Sequence, residues 1–202
     1  MSELRTNRII PRDGLTSGTY NAGGIIQIRQ SLKTDTFSES VSSQTDSAIP
    51  FTATITPTRS DSKILIQMIL NVGASNDGDL SIKLTRGGSV ITAATGDAAS
   101  NRARVTATAA LFNLNRQGQI ITNFLDSPAS TSTQTYGFKF RHAENGSMSC
   151  YLNRNDNDGD SALVQRPISS ITLYEVSGKI TKKYKNEHTQ SRYNFISRYS
   201  NR

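Results

Sequence analysis

Lys63-Ile64-Leu65-Ile66-Gln67-Met68-Ile69-Leu70-Asn71-Val72 is the stretch that decides the fold class. Ile64, Ile66, Met68, Leu70 and Val72 fall at every second position, the period at which a β-strand returns to one face. The other parity holds Leu65, Gln67, Ile69 and Asn71. A sandwich strand with one wet face is polar on that parity. Leu65 and Ile69 break the rule, so the outer face of this strand is expected to be covered as well. Either the leader or a loop lies across it, or another subunit does.

Similar short runs recur on both sides, separated by clusters of turn residues. Upstream, Ile25-Ile26-Gln27-Ile28-Arg29-Gln30 opens the series, with Lys33 to Phe37 as its continuation, and Pro50 to Thr56 alternates before stopping at Pro57. Downstream, Leu80 to Thr85 points Leu80, Ile82 and Leu84 inward and turns at Gly87-Gly88 into Ser89-Val90-Ile91. Arg104 to Asn113, Gln119 to Leu125, Thr135 to Arg141, Met148 to Leu152 and Ile168 to Val176 complete the set, with Tyr136, Phe138 and Phe140 on one face. About nine strands and no amphipathic helix predict an all-β fold, an antiparallel two-sheet sandwich of jelly-roll-like topology.

The 202 residues divide into a polar leader (1–21), this β-body (22–178) and a basic tail (179–202). The formal net charge of +7 is unevenly placed. From Met1 to Gly178 there are 16 Lys/Arg and 15 Asp/Glu, whereas Lys179 to Arg202 holds 7 basic residues against Glu187 alone. A near-neutral body offers no basic face to a phosphate backbone, so nucleic acid is not its expected partner. No run of about 18 apolar residues exists to span a membrane, and the N-terminus lacks the apolar core of a signal peptide.

Chemistry has few footholds. One cysteine and two histidines build no zinc cluster, and Cys150 reads as a small buried hydrophobe on a strand. Asn155-Asp156-Asn157-Asp158-Gly159-Asp160 looks like a calcium loop. Aligned on Gly159, however, it places Arg154 and Gln165 where a hard cation needs carboxylates. Ser75 to Asp79 fails in the same way, with Gly73 at the first position. Both read as turns between strands. His142 ends a predicted strand and His188 lies in the tail, with no Gly-x-Ser-x-Gly elbow for either to serve. The acids sit mostly in turn-like stretches, where solvated capping accounts for them. No catalytic residue, cofactor or metal is expected.

The tail differs from an ordinary charge run. Tyr184, Tyr193, Phe195 and Tyr199 are interleaved with basic residues including Arg192 and Arg198, and Ser-Arg-Tyr occurs twice. Aromatic and Arg side chains are favoured anchors in protein interfaces. Tyr184, Arg192, Tyr193, Phe195, Arg198 and Tyr199 are therefore expected to dock on a neighbouring protein.

Ser2-Glu3-Leu4-Arg5-Thr6-Asn7-Arg8-Ile9-Ile10-Pro11-Arg12-Asp13-Gly14, followed by Gly23-Gly24-Ile25-Ile26-Gln27, resembles the start of virion structural and tail-fibre proteins of marine tailed phages, notably cyanophages. Thr54 to Pro57, Ser62 to Ile66, Lys83 to Gly88, Phe124 to Pro128, Tyr151 to Arg154 and Ser170 to Val176 continue it in order, over residues 2–178. Lys179 onward departs from it. The resemblance implies a β-jelly-roll, often trimeric, attached to the particle by its leader through Leu4, Arg5, Asn7, Arg8, Ile9, Ile10, Pro11, Arg12 and Asp13. With it, the expectation at Leu65, Gln67 and Ile69 becomes a homo-oligomer interface. The function expected is a non-enzymatic virion structural protein, a short tail-fibre or adhesin-like component made in the host cytoplasm. Its partners are other virion proteins and, where the body faces outward, a host surface receptor. The alternative is a head decoration or a neck or tail adaptor that never touches the host.

Overall fold

In the computed structural model, residues 24–111, 116–143, 145–162 and 164–177 are described. They form twelve strands: β1 (Ile25–Lys33), β2 (Phe37–Ser42), β3 (Asp46–Ala48), β4 (Ala53–Ile55), β5 (Lys63–Ala74), β6 (Gly78–Arg86), β7 (Ser89–Val90), β8 (Ala107–Leu111), β9 (Gly118–Asp126), β10 (Gln134–His142), β11 (Ser147–Leu152) and β12 (Ser169–Val176). Among the described residues the one helical element is a 3-10 turn at Thr92–Ala94.

The strands make two antiparallel six-stranded sheets. The first runs β1-β12-β5-β11-β2, with β9 paired to β5. The second runs β3-β10-β6-β7, with β4 paired to β10 and β8 to β6. The chain crosses between sheets six times, from β2 to β3, β4 to β5, β5 to β6, β8 to β9, β9 to β10 and β10 to β11. This is the all-β, antiparallel two-sheet sandwich, jelly-roll-like in topology, that the strand count suits.

The core lies where the inner parities meet. Ile64, Ile66, Met68, Leu70 and Val72 from β5 face Leu80, Ile82 and Leu84 from β6 and Tyr136, Phe138 and Phe140 from β10, all buried. Phe138 sits at the centre, 5.4 Å from the Phe140 ring and 6.4 Å from the Phe51 ring in edge-on arrangements. Cys150 is buried on β11, and burial pushes its thiol up to about 12.

Several boundaries differ from the periodicity reading. β1 runs on to Lys33 and ends there, so residues 34–37 do not continue it. The chain turns there, because the Asn153 side chain donates to the Lys33 and Asp35 carbonyls at 2.8 and 2.9 Å and draws them inward. The Pro50–Thr56 run keeps strand geometry only at Ala53–Ile55. β2 and β3 are two further strands, short and polar, with Val41 the buried hydrophobic residue between them. The acids also depart from the solvated-turn reading, since Asp126 and Glu175 are buried on strands.

Candidate interaction surface

Directly paired residues of an antiparallel ladder project from the same side of the sheet. The register therefore gives the first sheet an outer face of three cross-strand rows over β1, β12, β5 and β9. One row is Ile28, Tyr174, Leu65 and Leu125. The middle row is Gln30, Thr172, Gln67 and Asn123. The third is Leu32, Ser170, Ile69 and Ile121. None of these residues is charged.

Leu65, Gln67 and Ile69, which the sequence singled out, occupy the centre of this face and are half-buried by their neighbours. Exposure concentrates on the flanking strands, where Ile28, Leu32, Ile121 and Leu125 are 51%, 54%, 60% and 51% accessible. The middle row is internally bonded. Gln30 Nε2 donates to Thr172 Oγ1 at 3.0 Å, and Tyr174 Oη donates to Gln67 Oε1 from the adjacent row at 3.3 Å.

The strand β1 makes the face harder to explain as ordinary surface. Its residues paired toward the interior side of the sheet are Gln27, Arg29, Ser31 and Lys33, opposite the buried Glu175, Leu173, Ile171 and Ser169. Its apolar residues Ile28 and Leu32 point outward. That is the reverse of an edge strand with a dry inner and a wet outer side.

The outer face of the second sheet has the opposite character. Asp46 lies between Lys83 Nζ at 2.7 Å and Arg141 Nη1 at 3.1 Å, with Lys139 paired beside Lys83 on the ladder. A shallow cavity of about 160 Å³ adjoins them, lined by Thr52, Thr85, Thr135, Gly137, Lys139 and neighbouring residues; the lining contains no carboxylate, His or Cys. One outer face thus carries a charged cluster, and the other carries three uncharged rows, two of them largely apolar, bounded by Lys63 opposite Val176 at one end.

Three buried polar side chains anchor the fold, and the first of them bridges the two sheets. Asp126 accepts from Tyr136 Oη at 2.7 Å and from Arg86 Nη1 at 2.6 Å, joining β9 of one sheet to β10 and β6 of the other. Burial and the Asp126 carboxylate together push the Tyr136 phenol well above its ordinary range. Asn153, in a left-handed conformation at φ 61°, also accepts from Ser169 Oγ at 2.6 Å. Glu175 accepts from Gln27 Nε2 at 2.6 Å and from the Thr58 backbone N–H and hydroxyl, each at 2.7 Å.

Burial alone would raise the pKa of Glu175, but the Gln27 and Thr58 donors outweigh it and hold the carboxyl below its usual range. A carboxylate held low in the folded state contributes stability that is present above its unfolded pKa and lost as pH falls through the folded one. Glu175→Gln is therefore expected to cost about 1–3 kcal/mol at neutral pH, because the amide turns a donor toward donors. Thermal melts from pH 7 to pH 3 check the sign. The gap between wild type and variant should narrow on acidification, and a gap that stays constant contradicts the assignment.

The remaining candidate positions are scattered. His142 ends β10, buried, with neither ring nitrogen hydrogen-bonded to a described residue. In the Asp-rich loop Asp158 pairs with Arg166 and Arg154, at 2.7 and 3.6 Å, and Asp156 accepts from Tyr151 Oη at 2.5 Å, so these carboxylates serve the turn. Among the described residues no three His, Cys, Asp or Glu side chains converge on a point a metal ion could occupy. The leader residues Leu4 to Asp13, and Tyr184, Arg192, Tyr193, Phe195, Arg198 and Tyr199 of the tail, lie outside the described residues.

Sequence periodicity located the β5 part of the outer face and missed Ile28, Leu32, Tyr174, Ile121 and Leu125. The parity of Ile28, Gln30 and Leu32 is visible in the sequence. Which side of the sheet it takes depends on the register with β12, which no local pattern states.

No protein-family model matches the chain. No curated protein matches it by sequence. Among solved structures, one of infectious bursal disease virus, Gx strain, aligns over 76% of this chain and 37% of that chain, with 13% identity and a TM-score of 0.36. The chain thus spans little more than a third of that protein's length. The fold assignment rests on the strand pairing itself, and the phage resemblance on the residues quoted for it.

Proposed function

We propose that this chain is a non-enzymatic structural component of a tailed-phage particle, a short tail-fibre or adhesin-like protein. In this reading the leader Leu4–Asp13 and the aromatic residues of the basic tail attach it to other virion proteins. The sandwich assembles with its own kind, as a trimer where it follows the resemblance, and a host surface receptor is the partner of its outward side.

The observation that carries the reading is the contrast between the two outer faces. A free-standing monomer gains nothing from a face with four half-exposed aliphatic side chains, whereas a subunit of an assembly buries it. The resemblance over residues 2–178 supplies the kind of assembly. It also fits the use made of its motifs, since Asp126, Asn153 and Glu175 each lie in a resembling segment and each anchors the fold.

Mass spectrometry of gradient-purified particles tests the proposal. The chain should co-purify in fixed ratio to the tail proteins, and the purified protein should release no reducing ends from host surface polysaccharide. Absence from the particles, or sugar release above a buffer control, overturns it.

A further inference from the structure

We infer that the cavity on the outer face of the second sheet binds the carboxylate end of a small organic acid. This goes beyond the proposed function and does not depend on it. Tyr136, Phe138 and Phe140 take the inner parity of β10, so Thr135, Gly137 and Lys139 take the outer one. Gly137 pairs with Thr85 of β6, and Lys139 lies between Ala48 of β3 and Lys83 of β6. A Cβ on Gly137 would stand 2.9 Å from Thr52 Cγ2 and 3.5 Å from Thr85 Oγ1. The missing side chain therefore leaves a space of about 160 Å³ walled by the two threonines.

Three observations say what the space takes. The first is Lys139. Lys83 stands directly opposite it on the ladder, and Arg141 follows it on the same face. Like charges set opposite one another cost stability. Asp46 answers two of these cations, through Lys83 Nζ and Arg141 Nη1. Lys139 lines the cavity and has no acid partner among the described residues. A bound anion supplies the missing charge.

The second is Thr85. It is 4% exposed, its hydroxyl lies over Gly137, and that hydroxyl makes no hydrogen bond to a described residue. A buried polar group without a partner asks for an explanation. The hydroxyls of Thr52 and Thr135 on the same wall are equally uncommitted among the described residues. Each can donate to a carboxylate oxygen.

The third is the rest of the lining, where Ala48, Ile49 and Phe138 add carbon. An apolar wall suits a short carbon skeleton, and one uncommitted ammonium suits one negative charge. Together they select a monocarboxylate over phosphate or sulfate, whose charge and oxygens would meet only one free cation. The volume lies below the roughly 300–1,000 Å³ of a pocket that takes a whole drug-sized ligand, so the site holds the end of a molecule.

Saturation-transfer NMR on the full chain tests the inference, with butyrate and glucuronate as probes and butyramide as the uncharged control. Butyrate is a free aliphatic acid and glucuronate the acid of a sugar, so the tighter of the two identifies the source of the carboxylate. At least one should bind, and at least about 10-fold more tightly than butyramide. K139Q and T85V should each weaken that binding at least about 10-fold, as loss of one hydrogen bond to a charged group does. K139R, which keeps the charge, should weaken it less than K139Q. Far-UV circular dichroism verifies the fold of each variant, and the half-buried Lys139 gives a readout even where the buried T85V unfolds. Binding of neither acid, or butyramide binding as tightly as the acids, overturns the inference. So does acid binding that K139Q leaves unchanged, which belongs to cations elsewhere such as those of the tail. None of these results alters whether the chain is found in particles, so the two proposals fail separately.

Discussion

Phe138→Ala should destabilise the sandwich by about 3–5 kcal/mol, the range for truncating a fully buried aromatic side chain. Phe138 is 2% exposed and touches rings on both sides, Phe51 from the segment before β4 and Phe140 on its own strand. Truncation removes both edge-on contacts, each worth about 0.5–1.5 kcal/mol beyond burial. The cavity lies between β10 and the β5 side chains, where two paired sheets resist collapse. Against a domain stability of about 5–15 kcal/mol, this is a large share. Urea unfolding followed by circular dichroism should show the midpoint falling with little change in slope. A midpoint within experimental error of wild type would mean that the aromatic column is not the centre of the core.

Gly73→Ala comes next and acts through backbone. Gly73 pairs with Tyr151 where β5 meets β11. A Cβ there would press on the Arg154 carbonyl oxygen and lie 3.0 Å from Asn155 Cα. Neither is the free end of a side chain. The loop they belong to is fixed by Asn153, whose N–H donates to the Asn71 carbonyl at 2.8 Å and whose side chain clamps the β1–β2 turn. Relief requires prising β11 from β5, and we expect a loss of about 3 kcal/mol, the upper end of ordinary overpacking. Thermal unfolding measures it. A variant as stable as wild type would show that the loop yields.

Gly73 also illustrates what was legible in the sequence. The glycine reads as one position of a failed calcium-loop pattern, while its role depends on a loop about 80 residues downstream. The long strands β5, β6, β10 and β12 declare themselves because apolar residues return at every second position along them. β2 and β3 do not, since Phe37-Ser38-Glu39-Ser40-Val41-Ser42 holds strand geometry by pairing with β11 rather than by apolar period. Glu175 was equally hidden. A carboxylate near the end of a strand suggests a solvated cap, and only the approach of Gln27 and Thr58 explains its burial.

The outer face was half legible for the same reason. Leu65 and Ile69 break an alternation within one strand, which sequence displays. Their continuation into Ile28, Leu32, Ile121 and Leu125 depends on register across four strands. That continuation turns two anomalous residues into part of one contiguous face.

Cryo-EM of the intact particle tests the central claim most directly. The map should show the sandwich on the particle, with Ile28, Leu65, Ile69 and Ile121 buried against another copy of the chain and Lys83 and Arg141 facing solvent. A particle in which those four residues face water, while Lys83 and Arg141 line the contact between copies, would contradict it.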